Sequence, residues 1–202
     1  MEIATTIDRA KYDVFRWRCE LSIPAKIALA LGVACLVGLV AQFRFVVPWS
    51  PVPITGQTFA VLLAGILLGR WWGGISLAIY GGLGVAGVPW FSGLTSGLGA
   101  TGGYIIGFVL AALFLGHFAD KYRGSRSFLS MLGLMLFASF ILIYVPGLLW
   151  LKLWLGNVSS GTVSLMTLLG MGVIPFIAGD VIKVIVAAAI AKGIAPKSTY
   201  SG

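Results

Sequence analysis

The chain has 202 residues, 59% hydrophobic and 10% charged, with a net charge of +8 and a mean hydropathy of +1.02. Soluble domains run at about 45–50% apolar and about 25% charged, so this composition excludes a cytosolic globular enzyme, a disordered chain and a disulfide-stapled secreted domain. The basic residues punctuate long apolar runs instead of covering a solvated face, which argues against nucleic-acid binding and leaves a single-domain integral membrane protein.

A helix needs about 20 apolar residues to cross a hydrocarbon core, within a range of about 17–25. The first predicted span runs from about Ile23 to Gln42. It is no cleavable signal, because a charged, mixed-sign segment precedes it and no small-residue cleavage site follows. A second segment, Gln57 to Gly69, is too short to cross comfortably. A Gly-rich third runs from Trp71 to Val88, a fourth from Gly103 to Phe118 and a fifth from Ser127 to Leu151. The apolar stretch Ser159 to Met171 is short, followed by Gly172 and Pro175, and reads as a loop helix. A sixth span runs from Phe176 to Ile194.

The sequence therefore predicts an all-α bundle of six transmembrane helices over residues 23–194, a multi-pass protein of the cell membrane. Residues 1–22 form an N-terminal extension and 195–202 a tail. Arg9, Lys11, Arg16, Arg18, Lys26, Arg70, Lys121, Arg123, Arg126, Lys192 and Lys197 fall on one side, whereas the opposite side has only Arg44 and Lys152. The positive-inside rule puts both termini in the cytoplasm. The outward loops, Val46 to Gln57 and Val88 to Tyr104, mix aromatics with Gly, Pro, Ser and Thr. Irregular backbone survives at membrane depth only when buried or lining a cavity. Beside a short span, such loops point to a capped cavity opening outward; the plainer reading is solvated connectors with interfacial Trp residues.

Lys183 lies inside the last span with Asp180 three residues before it, on one helical face. Intramembrane charges are expensive and normally face the bundle interior or a wet cavity. Two readings stay open on these residues alone: a neutral pair that fastens helices, or anchors for a polar ligand group. An aspartyl protease would need two facing carboxylates, and Asp180 is the one acid deep in a span. His117, the single histidine, falls at the inner end of the fourth span and reads as interfacial. The Gly81 to Gly87 run matches no nucleotide fingerprint and suits close helix packing. Cys19 and Cys35 form no CxxC motif and read as buried or spectator thiols. No ATPase motif, cofactor motif or metal set is present, so any energy for transport has to come from a partner.

Four motifs carry a resemblance: Pro51-Val52-Pro53-Ile54-Thr55-Gly56-Gln57-Thr58, Tyr80 to Pro89, Thr101-Gly102-Gly103-Tyr104-Ile105-Ile106-Gly107-Phe108, and Pro175 to Lys183. Together, and in this order, they resemble the BioY family, the biotin-specific substrate-binding components of energy-coupling-factor (ECF) transporters. The family pattern has Pro where this chain has Ala100, and Gly where it has Ala178; both departures concern loop stiffness. Met1 to Glu20 lies outside the resemblance. It implies a non-enzymatic bundle that binds biotin from outside and joins a transmembrane coupling protein and two ATPases, with biotin as transported substrate and no cofactor. By the same resemblance Asp180 and Lys183 meet biotin, with Thr55, Gln57, Trp90, Thr101, Gly102, Gly103, Tyr104 and Asn157 as lining candidates. Ala30 and Ala34 of the first helix resemble the family's Ala-x-x-x-Ala dock for the coupling protein, extended by Gly38; internal packing is the alternative for this stripe. Competing functions are a component for another vitamin, which would need other polar anchors, and an intramembrane enzyme or scaffold built on the Asp180 and Lys183 pair.

Overall fold

The computed structural model describes residues 13, 15–18, 20–158 and 163–195. The remainder of the N-terminal extension and most of the predicted tail lie outside the described residues. Helix α1, Ile23–Val40, starts with Pro24 in its first turn, where the missing amide costs no intrahelical bond. One stripe of it is buried, Ala30, Ala34, Val37 and Gly38; its other side exposes Leu31, Leu36 and Leu39 to lipid. Cys35 is exposed on this helix, and Cys19 is not among the described residues.

A two-stranded hairpin follows, β1 (Arg44–Phe45) and β2 (Ile54–Thr55), pairing Arg44 with Thr55 and Phe45 with Ile54. Helix α2, Gln57–Val85, is broken at Gly69, whose backbone adopts φ 79° and ψ 179°. Gln57 Nε2 donates to Tyr80 Oη at 2.7 Å. In a straight helix those residues would stand about 35 Å apart, so α2 is an antiparallel hairpin of two arms, residues 57–68 and 70–85. A Cβ on Gly73 would come within 2.9 Å of Gly65 Cα, which shows how tightly the arms press together. The short second span and the Gly-rich third predicted from sequence are these two arms, and the bundle has its six crossings.

Helix α3 (Gly102–Lys121) is the central strut. A Cβ on Gly107 would lie 2.6 Å from Ile143 Cα, and one on Gly116 would lie 2.4 Å from the Arg70 amide nitrogen. Small residues let backbones meet where lipid offers no hydrophobic drive between helices. The next crossing is a single run, Phe128–Val158. It starts as α4 (Phe128–Phe137), capped by the Ser127 hydroxyl accepting from the Ser130 amide, and widens into a π turn over Ala138–Ile143. It ends as α5 (Tyr144–Val158). Pro146 removes one ladder donor just beyond the π turn, and the extra residue of such a turn re-aims the side chains that follow. The predicted loop helix is α6, Leu165–Gly172. A short 3₁₀ turn, Ile174–Phe176, then leads into α7, Ile177–Ile194.

Charges gather at the inner end. Arg18 donates to the carbonyls of Ile66 (2.9 Å) and Leu67 (3.1 Å), which lose helical partners at the Gly69 break, and pairs with Asp120. Asp120 accepts in turn from the Arg70 amide at 2.8 Å, the first amide beyond the break. Arg126 donates to Ala119 O, and burial together with Arg18 pushes its guanidinium below the usual range. His117 sits at this end 3.3 Å from Arg70, an interfacial position as the sequence suggests. The N-terminal extension thus takes part in the fold: Phe15 is buried and lies 3.8 Å beneath the Arg18 guanidinium.

One expectation is corrected. Ala30 and Ala34 are fully buried within the chain, and a Cβ on Gly38 would meet the Trp90 side chain at 3.2 Å. The stripe is a seam of the bundle that lets α1 approach its neighbours. It presents no free face to a coupling protein.

Candidate binding site

Near the outer ends of the helices lies a cavity of about 560 Å³, its mouth included. Apolar walls come from Phe91, Ile105, Phe108, Ile143 and Phe176, and Val52 and Pro53 contribute from the first outer loop. Most small-molecule sites share this build, apolar walls with a few placed polar groups.

Asp180 supplies the charge. It stands in the first turn of α7 and is only 3% exposed. Lys183 Nζ donates to its Oδ1 at 2.8 Å and Tyr144 Oη donates to its Oδ2 at 2.6 Å. Tyr144 is the first residue after the π turn, so that local widening places its hydroxyl against α7. Lys183 also donates to Thr55 O at 2.6 Å, which fastens the hairpin strand β2 to the last helix. A buried carboxylate demands such partners. The set is nevertheless unfilled. A carboxylate offers about four acceptor sites and an ammonium three donors, so Asp180 can still accept N–H groups and Lys183 can still donate once.

A second polar chain runs beside it. Thr55 Oγ1 donates to Gln57 Oε1 at 3.1 Å, and Gln57 Nε2 donates to Tyr80 Oη at 2.7 Å. Tyr80 is held by Trp90, whose indole donates to Tyr80 O at 3.0 Å and whose ring lies 5.4 Å away. Tyr104 Oη donates to Gly172 O at 2.8 Å and ties α3 to α6.

The outer loop that caps the cavity is pinned by Gln42. Its Nε2 donates to the carbonyls of Gly38, Trp90 and Phe91, and its Oε1 accepts from the amides of Gly93 and Leu94. Trp150 Nε1 holds the far end of the same loop through Gly99 O at 2.9 Å.

Of the residues expected at the site, Asp180, Lys183, Thr55, Gln57, Thr101 and Tyr104 line the cavity. The other four do not. Trp90 stands behind Tyr80 as a brace. Gly102 and Gly103 are packing positions, where a Cβ would strike the Trp150 side chain and, for Gly103, the Pro146 carbonyl as well. Asn157 is exposed near the end of α5. Tyr80, Tyr144, Phe91 and Ser92 line the cavity unanticipated, and in an apolar sequence nothing distinguishes such tyrosines from core aromatics.

A sequence model described as the BioY family matches residues 13–199. The chain belongs to the BioY family. The match begins at residue 13, inside the Met1 to Glu20 stretch expected to lie outside the resemblance, and this corrects that expectation in keeping with the anchored Phe15 and Arg18. A probable biotin transporter BioY of Methanothermobacter thermautotrophicus is 50% identical over 68% of this chain and 90% of its own length. The biotin transporter BioY of Thermotoga maritima is 34% identical over 72% of this chain and 82% of its own. Among solved structures, the S-component for biotin from an ECF-type ABC transporter superposes with a TM-score of 0.73 at 25% identity. That match covers 85% of this BioY family member and 93% of the other chain.

Proposed function

We propose that this BioY family member is the membrane substrate-binding component of an ECF-type uptake system, and that its ligand is biotin. It captures the vitamin from outside and delivers it together with a transmembrane coupling protein and two ATPase subunits. The carrying observation is the buried Asp180, held by Tyr144 and Lys183 yet with acceptor capacity left over, at the wall of an apolar cavity. The ureido ring of biotin brings two N–H donors and one carbonyl. Asp180 accepts from the donors, the spare Lys183 proton meets the carbonyl, and Phe91, Phe108 and Phe176 cover the thioether ring. The chain has no nucleotide motif, so the work of release falls to the ATPases through the coupling protein.

Equilibrium binding of tritiated biotin to detergent-purified protein tests this reading. Saturable binding is expected, with a thermal midpoint that rises with ligand; at a hundredfold excess over Kd the stabilisation is about 2.7 kcal/mol. Absent binding and an unchanged midpoint would overturn it.

A further inference from the structure

We infer that Arg44 receives the carboxylate of the ligand at the rim of the cavity, with the Ser92 hydroxyl beside it. The inference rests on the biotin reading and deepens it. Biotin is polar at both ends, and the Asp180 cluster matches only the ureido end. The other end is an anionic carboxylate on a flexible alkyl chain. Lys183, already bound to Asp180 and to Thr55 O, is the one cation among the lining residues. A carboxylate led outward from the ring site has to find its partner elsewhere.

Three observations place Arg44 there. The hairpin register sets Arg44 directly opposite Thr55, and directly paired residues of antiparallel strands share one face of the ribbon; Thr55 lines the cavity. The Arg44 guanidinium also lies against Gly93 of the capping loop, where a Cβ would sit 2.1 Å from Nη1 and 2.6 Å from Cζ. Gly93 has φ +82° and follows Ser92, another lining residue. Finally, both groups have bonding capacity to spare. Ser92 Oγ is buried with no hydrogen-bond partner among the described residues, an arrangement that asks for an acceptor. Arg44 makes no ion pair among the described residues and keeps a fork of donors suited to a carboxylate. Arg44 and Ser92 therefore flank one rim, a cation from β1 and a hydroxyl from the loop.

The test compares biotin with biotinamide, its neutral isostere, by titration calorimetry on wild type, Arg44→Ala, Arg44→Lys and Ser92→Ala. Wild type is expected to prefer the acid by tenfold or more, and that preference should shrink as salt rises, because a rim pair is screened. Arg44→Ala should bind the two ligands alike while keeping its affinity for the amide, which also shows that the variant is folded. Arg44→Lys should retain part of the preference, and Ser92→Ala should lose a few-fold on the acid alone. A wild type that binds both ligands equally, or an Arg44→Ala protein that keeps the acid preference, overturns the inference and leaves the biotin reading standing. A wild type that binds neither ligand overturns the biotin reading itself.

Discussion

A buried carboxylate held by one hydroxyl and one ammonium is sensitive to the loss of either. In Asp180→Asn the charge is lost, Lys183 is left unpaired, and the charge-assisted bond to the ligand goes, worth roughly 1.5–3 kcal/mol; biotin affinity should fall at least tenfold in binding isotherms. An unchanged affinity in folded protein would mean that the pair serves only to fasten α7 to Tyr144 and Thr55. Tyr144→Phe keeps the ring between Tyr104 and Phe140 and removes one donor from Asp180. It should weaken binding less than Asp180→Asn, by a few-fold in the same assay. At this scale the sequence was readable where chemistry is rare. Two opposite charges in an otherwise apolar span declare themselves, and Thr55 and Gln57 stand in a conspicuous Pro-rich loop. Tyr80 and Tyr144 do not, because their roles depend on the Gly69 reversal and the π turn, neither of which leaves a polar mark in the composition.

Among the elements, the capping loop is held at its edges and is Gly- and Ser-rich between. Two of its amides, Gly93 and Leu94, donate to one side-chain oxygen of Gln42. Gln42→Ala should therefore speed hydrogen exchange at those amides while the α3 amides stay protected. Residues 90–104 should exchange more slowly with biotin bound, since the ligand fills the space beneath Phe91 and Ser92; equal rates in the two states would mark a rigid connector. At the inner end Arg18→Ala removes the donor for Ile66 O and Leu67 O and leaves Asp120 without its ion pair, though still bonded to the Arg70 amide. Exchange around the Gly69 turn should rise there, with biotin affinity little changed because the site lies at the opposite end of the bundle. The length of the second segment already hinted at a reversal near Gly69. The inner clasp was hidden, since it joins residues about fifty and a hundred positions apart.

For the molecule as a whole, the seam along α1 decides how substitutions spread. Ala30 and Ala34 have no exposed surface, and a tryptophan at Ala34 has nowhere to go without moving α1 off the bundle. Overpacking of this kind costs about 1–3 kcal/mol or more. Ala34→Trp should lower the thermal midpoint, and biotin binding should decline together with complex assembly. Near-normal binding with assembly lost would instead restore the stripe as a docking face. A run of small residues reads alike whether its partner is another helix of the same chain or a separate subunit, which is why the sequence left this point open.

The Gly69 reversal also bears on how the chain enters the bilayer. An arm over residues 57–68 is about 18 Å long, well short of a hydrocarbon core of about 30 Å. When it leaves the ribosome it has no means of holding a transmembrane position alone. It can do so only once residues 70–85 have followed and the two arms have closed on each other through Gly65 and Gly73. Each arm therefore depends on the other for a stable place in the bilayer.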